Sequence, residues 1–419
     1  MSIIKSIKMI CSNIDGNNNK FWNADLHDDE QIYVTYGRVG YSGQSEGPFP
    51  GGQAFLDKKI KEKKKKGYIE FDGIPVSSTK TTISVVSNLK EVAKQQIKYN
   101  SPELEKLIDR LVKSNIHNIT SSTQITYDSN TGLFSTPLGI VTKDSIEEAR
   151  NLLALIKHAK DNNSKIEDQH INKYLMLIPH NFGMIKVKDF VKSMDFIKEL
   201  NTLDSLEASY TTVLSKDKTD KTNDSPVVEE QIFNLSLDVL PNKDKEFVEL
   251  NKWFETSKKK QHGYDNIHIK NIYTVSIKEN RDLFEKQGKS YGNITKVFHG
   301  TSEANLLSIL KSGMKVSPPS TAYIAGKMFG NGVYGAVQSS KALGYTLGRW
   351  GGSTTDSGWL FICNFAMGKT YNPTNTGSPP SGYDSVWARS GDCNLYHDEL
   401  IVYKNSQIEI THLIEVNNK

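Results

Sequence analysis

Between Val297 and Tyr345 the chain reads VFHGTSEANLLSILKSGMKVSPPSTAYIAGKMFGNGVYGAVQSSKALGY. An apolar run ends on His299-Gly300, and an amphipathic segment with a glycine stop follows. A Gly-rich turn then delivers Tyr334, and a second aromatic stands at Tyr345. Much later, His397-Asp398-Glu399 leads into the β-favouring run Leu400-Ile401-Val402-Tyr403. This order asks for an α+β fold in which His299, Tyr334 and Glu399 come together as one site.

The rest of the chain is too long to serve that site alone. Its 419 residues suggest two to four domains. Hydrophobic content of 37% and charge of 24% are those of a globular protein. No run is apolar enough to span a bilayer, and the first sixteen residues, MSIIKSIKMICSNIDG, lack a small-residue cleavage site. No membrane partner is expected. Cys11, Cys363 and Cys393 are far apart and form no metal-ligand spacing, so no metal is expected. Few cysteines and no export signal suggest a reducing compartment. The net charge of +4 is modest, but Lys58 to Lys66 (KKIKEKKKK) is a concentrated positive block. It suits either a solvated helix face or phosphate contact.

Residues 1–75 read as a small domain of strands with one helix. Lys20-Phe21-Trp22 and Gln31 to Tyr36 are β-favouring, Gly37-Arg38-Val39-Gly40 turns the chain, and Gly51 to Lys66 is helical, stopped by Gly67. Asn19-Lys20-Phe21-Trp22, Tyr36-Gly37-Arg38-Val39-Gly40 and the Lys-rich helix together resemble a WGR domain, a module found with poly(ADP-ribose) polymerases. Tyr36 replaces the family's Trp. The resemblance implies binding to DNA strand breaks, with Tyr36 and Arg38 near the terminal nucleotide. Arg suits phosphate through its planar fork.

Residues 76–99 read as a linker and 100–214 as an all-α bundle. Ser101-Pro102-Glu103 caps a helix, with Leu104, Leu107, Ile108 and Leu111 at helical spacing, and Ser145-Ile146-Glu147 opens another. Pro137-Leu138-Gly139, Tyr174 to Gly183 and Leu203 to Tyr210 resemble the helical regulatory domain of DNA-dependent poly(ADP-ribose) polymerases. That resemblance implies autoinhibition, relieved by DNA. His180 reads as a structural hydrogen-bonding residue with no chemistry. Residues 215–228 are polar and unpatterned, a second linker.

Residues 229–419 resemble the family's ADP-ribosyltransferase catalytic domain, with two antiparallel sheets. The resemblance rests on Val297-Phe298-His299-Gly300, Phe329 to Tyr334, Ser340-Lys341 with Tyr345, Gly382 to Val386, and His397-Asp398-Glu399. The co-substrate it implies is NAD+. Cleaving the nicotinamide–ribose bond passes through an oxocarbenium-like centre, and the leaving group is already cationic. Orientation, a grip on the ribose hydroxyls and nearby negative charge are what help. By resemblance, His299 bonds the adenine-side ribose. Gly300 offers its backbone to the carboxamide, Tyr345 stacks on the nicotinamide ring, and Tyr334 lines the pocket. Asn305 lies near the adenosine ribose and phosphate, and Lys341 beside the acceptor. Glu399 holds the ribose 2′-hydroxyl and can orient or deprotonate an acceptor. Asp398 takes that role if the register slips by one.

Ala342 stands where the family usually has a serine near the carboxamide, a loss that Ser339 or Ser340 can offset. The expected protein is nuclear. It is stimulated by DNA breaks bearing a 5′-phosphate, builds poly(ADP-ribose), and modifies itself and chromatin proteins. Two alternatives stay open. One is a mono-ADP-ribosyltransferase with another trigger. The other is a DNA-end-binding scaffold with a weak NAD site.

Overall fold

The computed structural model describes residues 2–13, 18–38, 43–70, 89–128, 134–136, 139–162, 164–180, 187–217, 233–316, 328–347 and 357–418. In chain order, the first elements are β1 (Ile3–Asn13), β2 (Asn18–His27), β3 (Ile32–Arg38), β4 (Gln44–Phe49), α1 (Gly52–Lys65) and β5 (Ile69–Glu70). They are followed by α2 (Leu89–Gln96), β6 (Lys98–Tyr99), α3 (Pro102–Ser122), β7 (Thr126–Tyr127), β8 (Phe134–Thr136), β9 (Gly139–Ile140), α4 (Lys143–Asp161), α5 (Asp168–Leu177), α6 (Val187–Ser193) and α7 (Phe196–Asp217). The last stretch holds β10 (Leu235–Val239), α8 (Lys245–Thr256), β11 (Ile267–Ile277), α9 (Lys278–Leu283), β12 (Ile294–Thr301), α10 (Glu303–Ser312), β13 (Val333–Gly335), α11 (Ser339–Thr346), β14 (Ser357–Ala366), β15 (Thr370–Tyr371), β16 (Ser385–Ala388), β17 (Glu399–Val402) and β18 (Ile408–Asn418). Two compact units result: Met1–Leu89 with Ile116–Glu230, and Lys90–Asn115 with Gln231–Lys419.

The first unit contains an antiparallel sheet in the order β4-β3-β2-β1-β5. Strand alternation sends Ile7, Met9, Trp22, Ala24, Ile32 and Val34 to one face, where Leu56 of α1 closes the core. Ile10 and Phe21 point the other way and pack on Met176 of α5. Most lysines of α1 are exposed, but some are engaged by the sheet. Lys63 Nζ lies 5.4 Å from the Trp22 ring centre and 4.9 Å from that of Tyr68, and Lys64 pairs with Glu70 at 2.7 Å.

The helices of this unit follow the apolar spacing. Ile146, Ala149, Leu153 and Ile156 of α4 pack with Ile171, Tyr174 and Leu175 of α5 and with Leu203 and Leu206 of α7. The helix expected to open at Ser145 starts at Lys143, because Thr142 caps it and accepts from the Ser145 N–H at 3.2 Å. His180 is buried as a structural residue. One ring nitrogen lies 2.7 Å from the Ile178 carbonyl oxygen, the other 2.9 Å from Glu199 Oε2, and Tyr174 donates to the same carboxylate at 2.5 Å.

The second unit holds a sheet ordered β12-β14-β18-β11-β10-β6 and a smaller one ordered β13-β17-β16-β15, which meet where Gly335 packs on Val297 and Phe365. Both are antiparallel except for one edge pair each, β6 with β10 and β15 with β16. β14 and β18 are mostly buried, as central strands must be. Phe254 of α8 and Leu343 of α11 cover Phe298, Leu360, Ile362 and Ile414. Cys11 on β1 and Cys363 on β14 are buried free thiols, and Cys393 is half-buried. Among the described residues no helix is long and apolar enough to cross a membrane.

Candidate active site

Backbone pairing assembles the site from segments far apart in sequence. β12 ends on His299, Gly300 and Thr301 and pairs with β14, placing Gly300 opposite Leu360. Phe298 and Ala336 exchange backbone hydrogen bonds of 2.8 and 3.0 Å, which ties β12 to the chain just after β13. β13 in turn pairs Tyr334 with Ile401, next to Glu399 at the start of β17. α11 packs against Gly300 so closely that a Cβ there would lie 2.0 Å from the Ala342 carbonyl oxygen and 3.2 Å from Tyr345 Cβ. Only glycine permits that approach. The structure thus gathers His299, Gly300, Tyr334, Lys341, Tyr345 and Glu399. Asn305 follows on the first turn of α10, its amide donating to Thr301 Oγ1 at 3.3 Å.

The His299 ring is oriented by its own neighbourhood. Nδ1 lies 2.8 Å from the Tyr334 carbonyl oxygen, which can only accept, so Nδ1 carries the hydrogen and Nε2 keeps its lone pair in the neutral ring. Burial lowers its pKa below the usual histidine range, against the smaller opposing pull of that carbonyl. Tyr334 holds the Gly-rich turn. Its hydroxyl accepts from the Phe329 N–H at 2.8 Å and donates to the Gly330 carbonyl at 3.0 Å. Gly330, at φ +88°, occupies the left-handed region that the turn requires.

Glu399 is 7% exposed and lies 2.7 Å from Lys341 through Oε1. Oε2 is buried and has no hydrogen-bond partner among the described residues. Burial lowers the Lys341 pKa, and the Glu399 charge offsets part of this. Lys341 also donates to the carbonyls of His397 and Asp398 at 3.1 and 3.4 Å. Tyr345 is 51% exposed, unusual for a ring in a protein wall and suited to stacking on a flat ligand. Crowding of its hydroxyl and then the Glu399 charge push its phenol up to about 12.

Asp398 is engaged elsewhere. Its carboxylate accepts from Trp387 Nε1 at 2.8 Å, the Ser390 N–H at 2.9 Å and Arg389 at 3.3 Å, so the carboxylate that pairs with Lys341 belongs to Glu399. Ser339 and Ser340 are also occupied. Ser339 Oγ donates to the Phe254 carbonyl at 2.6 Å, and Ser340 Oγ accepts from the Lys259 N–H at 2.9 Å and meets His262 Nδ1 at 2.8 Å. Ser339 and Ser340 thus both have protein partners, beside the Ala342 that the sequence expectation had them offset.

Two further residues border the site without a sequence signal. Gln261 Nε2 lies 2.8 Å from His397 Nε2, and the His262 ring meets the His397 ring edge-on at 4.1 Å. The only local hint is the turn that ends on Gly263 at φ +72°. Tyr36 and Arg38 lie in the other unit, on β3, opposite Trp22 and Lys20 respectively. Tyr36 donates to Glu46 at 2.5 Å. Arg38 is exposed beside exposed Lys20, two cations at one strand end. Val39 and Gly40 lie outside the described residues.

Two mostly antiparallel sheets, with histidine, tyrosine and glutamate brought together from three strands, define an NAD-dependent ADP-ribosyltransferase domain. Family models match in the same order: a WGR domain over residues 7–73, the poly(ADP-ribose) polymerase regulatory domain over 101–230, and the poly(ADP-ribose) polymerase catalytic domain over 244–392. The chain belongs to the poly(ADP-ribose) polymerase family and is an ADP-ribosyltransferase with NAD+ as co-substrate. It is 27% identical to poly [ADP-ribose] polymerase 2 of Arabidopsis thaliana, over 97% of this chain and 72% of that one. It is 25% identical to protein mono-ADP-ribosyltransferase PARP3 of Mus musculus, over 97% of this chain and 87% of that one. The Homo sapiens PARP3 is 26% identical over 90% and 75% respectively. The catalytic match ends at 392, before Glu399, so the place of Glu399 in the site rests on geometry.

Proposed function

We propose that this chain transfers ADP-ribose from NAD+ to itself and to chromatin proteins, builds polymer, and is stimulated by DNA strand breaks, preferably 5′-phosphorylated, in the DNA damage response of the nucleus. The observation that carries the chemistry is the buried Oε2 of Glu399 beside Lys341, which has no hydrogen-bond partner among the described residues. In this assignment Glu399 Oε2 accepts from the 2′-hydroxyl of the nicotinamide ribose. Its charge favours the cationic centre that forms when the nicotinamide leaves. Gly300 presents backbone to the carboxamide, Tyr345 stacks on the ring, and Tyr334 fixes the turn beside it. His299 Nε2 and Asn305 meet the adenosine side. Lys341 holds Glu399 in place and faces the acceptor.

The DNA switch is supported by the WGR and regulatory matches and by the adjacent cations Arg38 and Lys20. The proposed boundaries are 1–75 for the DNA module, 100–214 for the regulatory domain and 229–419 for the catalytic domain. Labelled NAD+, incubated with the chain with and without nicked duplex and sized on a gel, tests the transfer, its DNA dependence and the polymer. A DNA-dependent ladder is expected. Equal labelling in both lanes removes the DNA switch. A single shifted band instead favours single-unit transfer, the activity named for the mouse and human relatives.

A further inference from the structure

Arg110 lies on α3, inside the regulatory match and outside the catalytic one. Its contacts nevertheless belong to the catalytic unit, which includes Lys90–Asn115. β6 adds an edge strand beside β10, with Ser236 opposite Lys98 and Leu237 opposite Tyr99. The Phe233 N–H donates to Gln96 at 3.0 Å, and Lys94 pins α2 to α3 through Glu105 at 2.7 Å and Asp109 at 3.2 Å. The segment is therefore built into the catalytic fold.

Arg110 is the point where this segment grips the rest. Its guanidinium is bidentate to Glu303, through Nε to Oε1 at 3.1 Å and through Nη2 to Oε2, and Nη1 reaches Glu415 at 3.1 Å. It lies over the Trp359 ring at 5.3 Å, and Trp359 Nε1 donates to the same Glu303 carboxylate at 2.8 Å. Burial lowers the guanidinium pKa, but the two carboxylates outweigh this and raise it. Glu415 keeps Lys270 at 3.0 Å and Asn271 at 2.8 Å besides. Among the described residues, Glu303 is held by Arg110 and by Trp359.

Both ends of this grip lead to the NAD side of the site. Glu303 is the first residue of α10, and Asn305 is on the same turn. Trp359 is the cross-strand partner of Thr301, which holds the Asn305 amide and follows His299 and Gly300 on β12. A planar five-donor fork can fix a carboxylate's position and angle as an ammonium cannot.

We infer that Arg110 is a positioning residue for NAD+ binding, one that sets the first turn of α10, and with it Asn305, from within the segment that sequence comparison assigns to the regulatory domain. The inference rests on the reading of Asn305 as an NAD contact. A brace of this kind acts before the chemical step, so its loss should appear in KM for NAD+ and leave kcat nearly unchanged.

The test is steady-state ADP-ribosyl transfer by the full chain, with NAD+ titrated in the presence and absence of nicked duplex. Arg110→Ala is expected to raise KM for NAD+ about tenfold with kcat changed less than about twofold. Arg110→Lys is expected to raise KM about threefold, since one ammonium cannot serve both carboxylates in the fork geometry. If Arg110→Ala does not fold, the lysine variant decides: a KM equal to the unaltered chain overturns the inference. An Arg110→Ala variant with lower KM and higher basal turnover also overturns it, because the contact would then be a brake. Asn305→Ala separates the two layers. If it raises KM and the Arg110 variants do not, this inference alone fails. If neither raises KM, the assignment of Asn305 fails with it.

Discussion

Lys341 Nζ lies 2.7 Å from Glu399 Oε1, and the two side chains are only 11% and 9% exposed. Such a pair gains little net stability, because desolvation offsets most of the attraction. What it provides is aim. Lys341 holds one carboxylate oxygen, so the other is left buried and oriented, and that second oxygen is the one without a partner among the described residues.

Glu399→Gln keeps the shape and removes the charge. Transfer by this variant should fall by about two to three orders of magnitude, the scale for losing a preorganised electrostatic contact, with some NAD+ cleavage retained. Asp398→Asn should instead lower the melting temperature, because its amide NH2 cannot accept from both Trp387 and Arg389 as Oδ2 does, and leave polymer formation largely intact. Product sizing on a gel checks both; long polymer from Glu399→Gln would sink the assignment.

His299 sets an acid limit. Its folded pKa lies below the ordinary 6.5 because burial disfavours the imidazolium. Above 6.5 the ring is neutral in the folded and unfolded chains alike, and its contribution to stability is complete. As pH falls below that value the unfolded chain takes up the proton first, so stability declines until the folded pKa is passed. His397 and His412 are lowered too, by burial first. Melting temperature against pH should therefore slope downward below 6.5, less steeply in His299→Gln. Identical slopes would count against a buried neutral His299.

Gly300→Ala forces a methyl group to within 2.0 Å of the Ala342 carbonyl oxygen. Backbone cannot yield as a side chain can, so α11 must shift. A cost of about 1–3 kcal/mol is expected, together with loss of NAD+ affinity as Tyr345 moves with the helix. Thermal melts and calorimetry on the same preparation measure the two effects.

His180→Ala should destabilise the first unit by about 3 kcal/mol, since it leaves the buried Glu199 carboxylate without its ring partner. Burial pushes the Glu199 pKa up, but His180 and Tyr174 outweigh it and hold it low. Urea denaturation of the variant beside His180→Gln reads the loss; equal stability of all three chains would show the contact to be idle.

Arg38→Ala should weaken binding to nicked duplex and reduce the salt slope by about 1, as expected for one phosphate contact. Activity without DNA should stay as it was. A gel shift across a salt series is sufficient, and an unchanged slope would remove Arg38 from the DNA surface.

Local signals survived into the structure well. Ser101 does cap α3, with its Oγ 3.4 Å from the Leu104 N–H, and the His299-Gly300 and Phe329 to Tyr334 motifs lie at a strand end and a turn. β1 was not legible as a strand, because Lys5 and Lys8 interrupt its apolar pattern while its two faces pack against different neighbours. The partners of Ser340 were hidden for another reason. Lys259 and His262 reach it only after α11 docks, and no spacing rule links residues so far apart. Arg110 carries no local sequence signal of its role. Its meaning depends on Glu303 and Glu415, which only the tertiary fold brings to it.

The placement of the cysteines has a practical side. Cys11 is sealed in β1 of one unit and Cys363 in β14 of the other, and burial raises the pKa of both thiols. A thiol reagent needs thiolate and access, and the folded chain denies it both at these two positions. Each half of the molecule thus carries a silent tag that speaks only when that half opens. The more accessible Cys393 serves as the starting mark, and the two halves can be timed separately on a single unaltered chain.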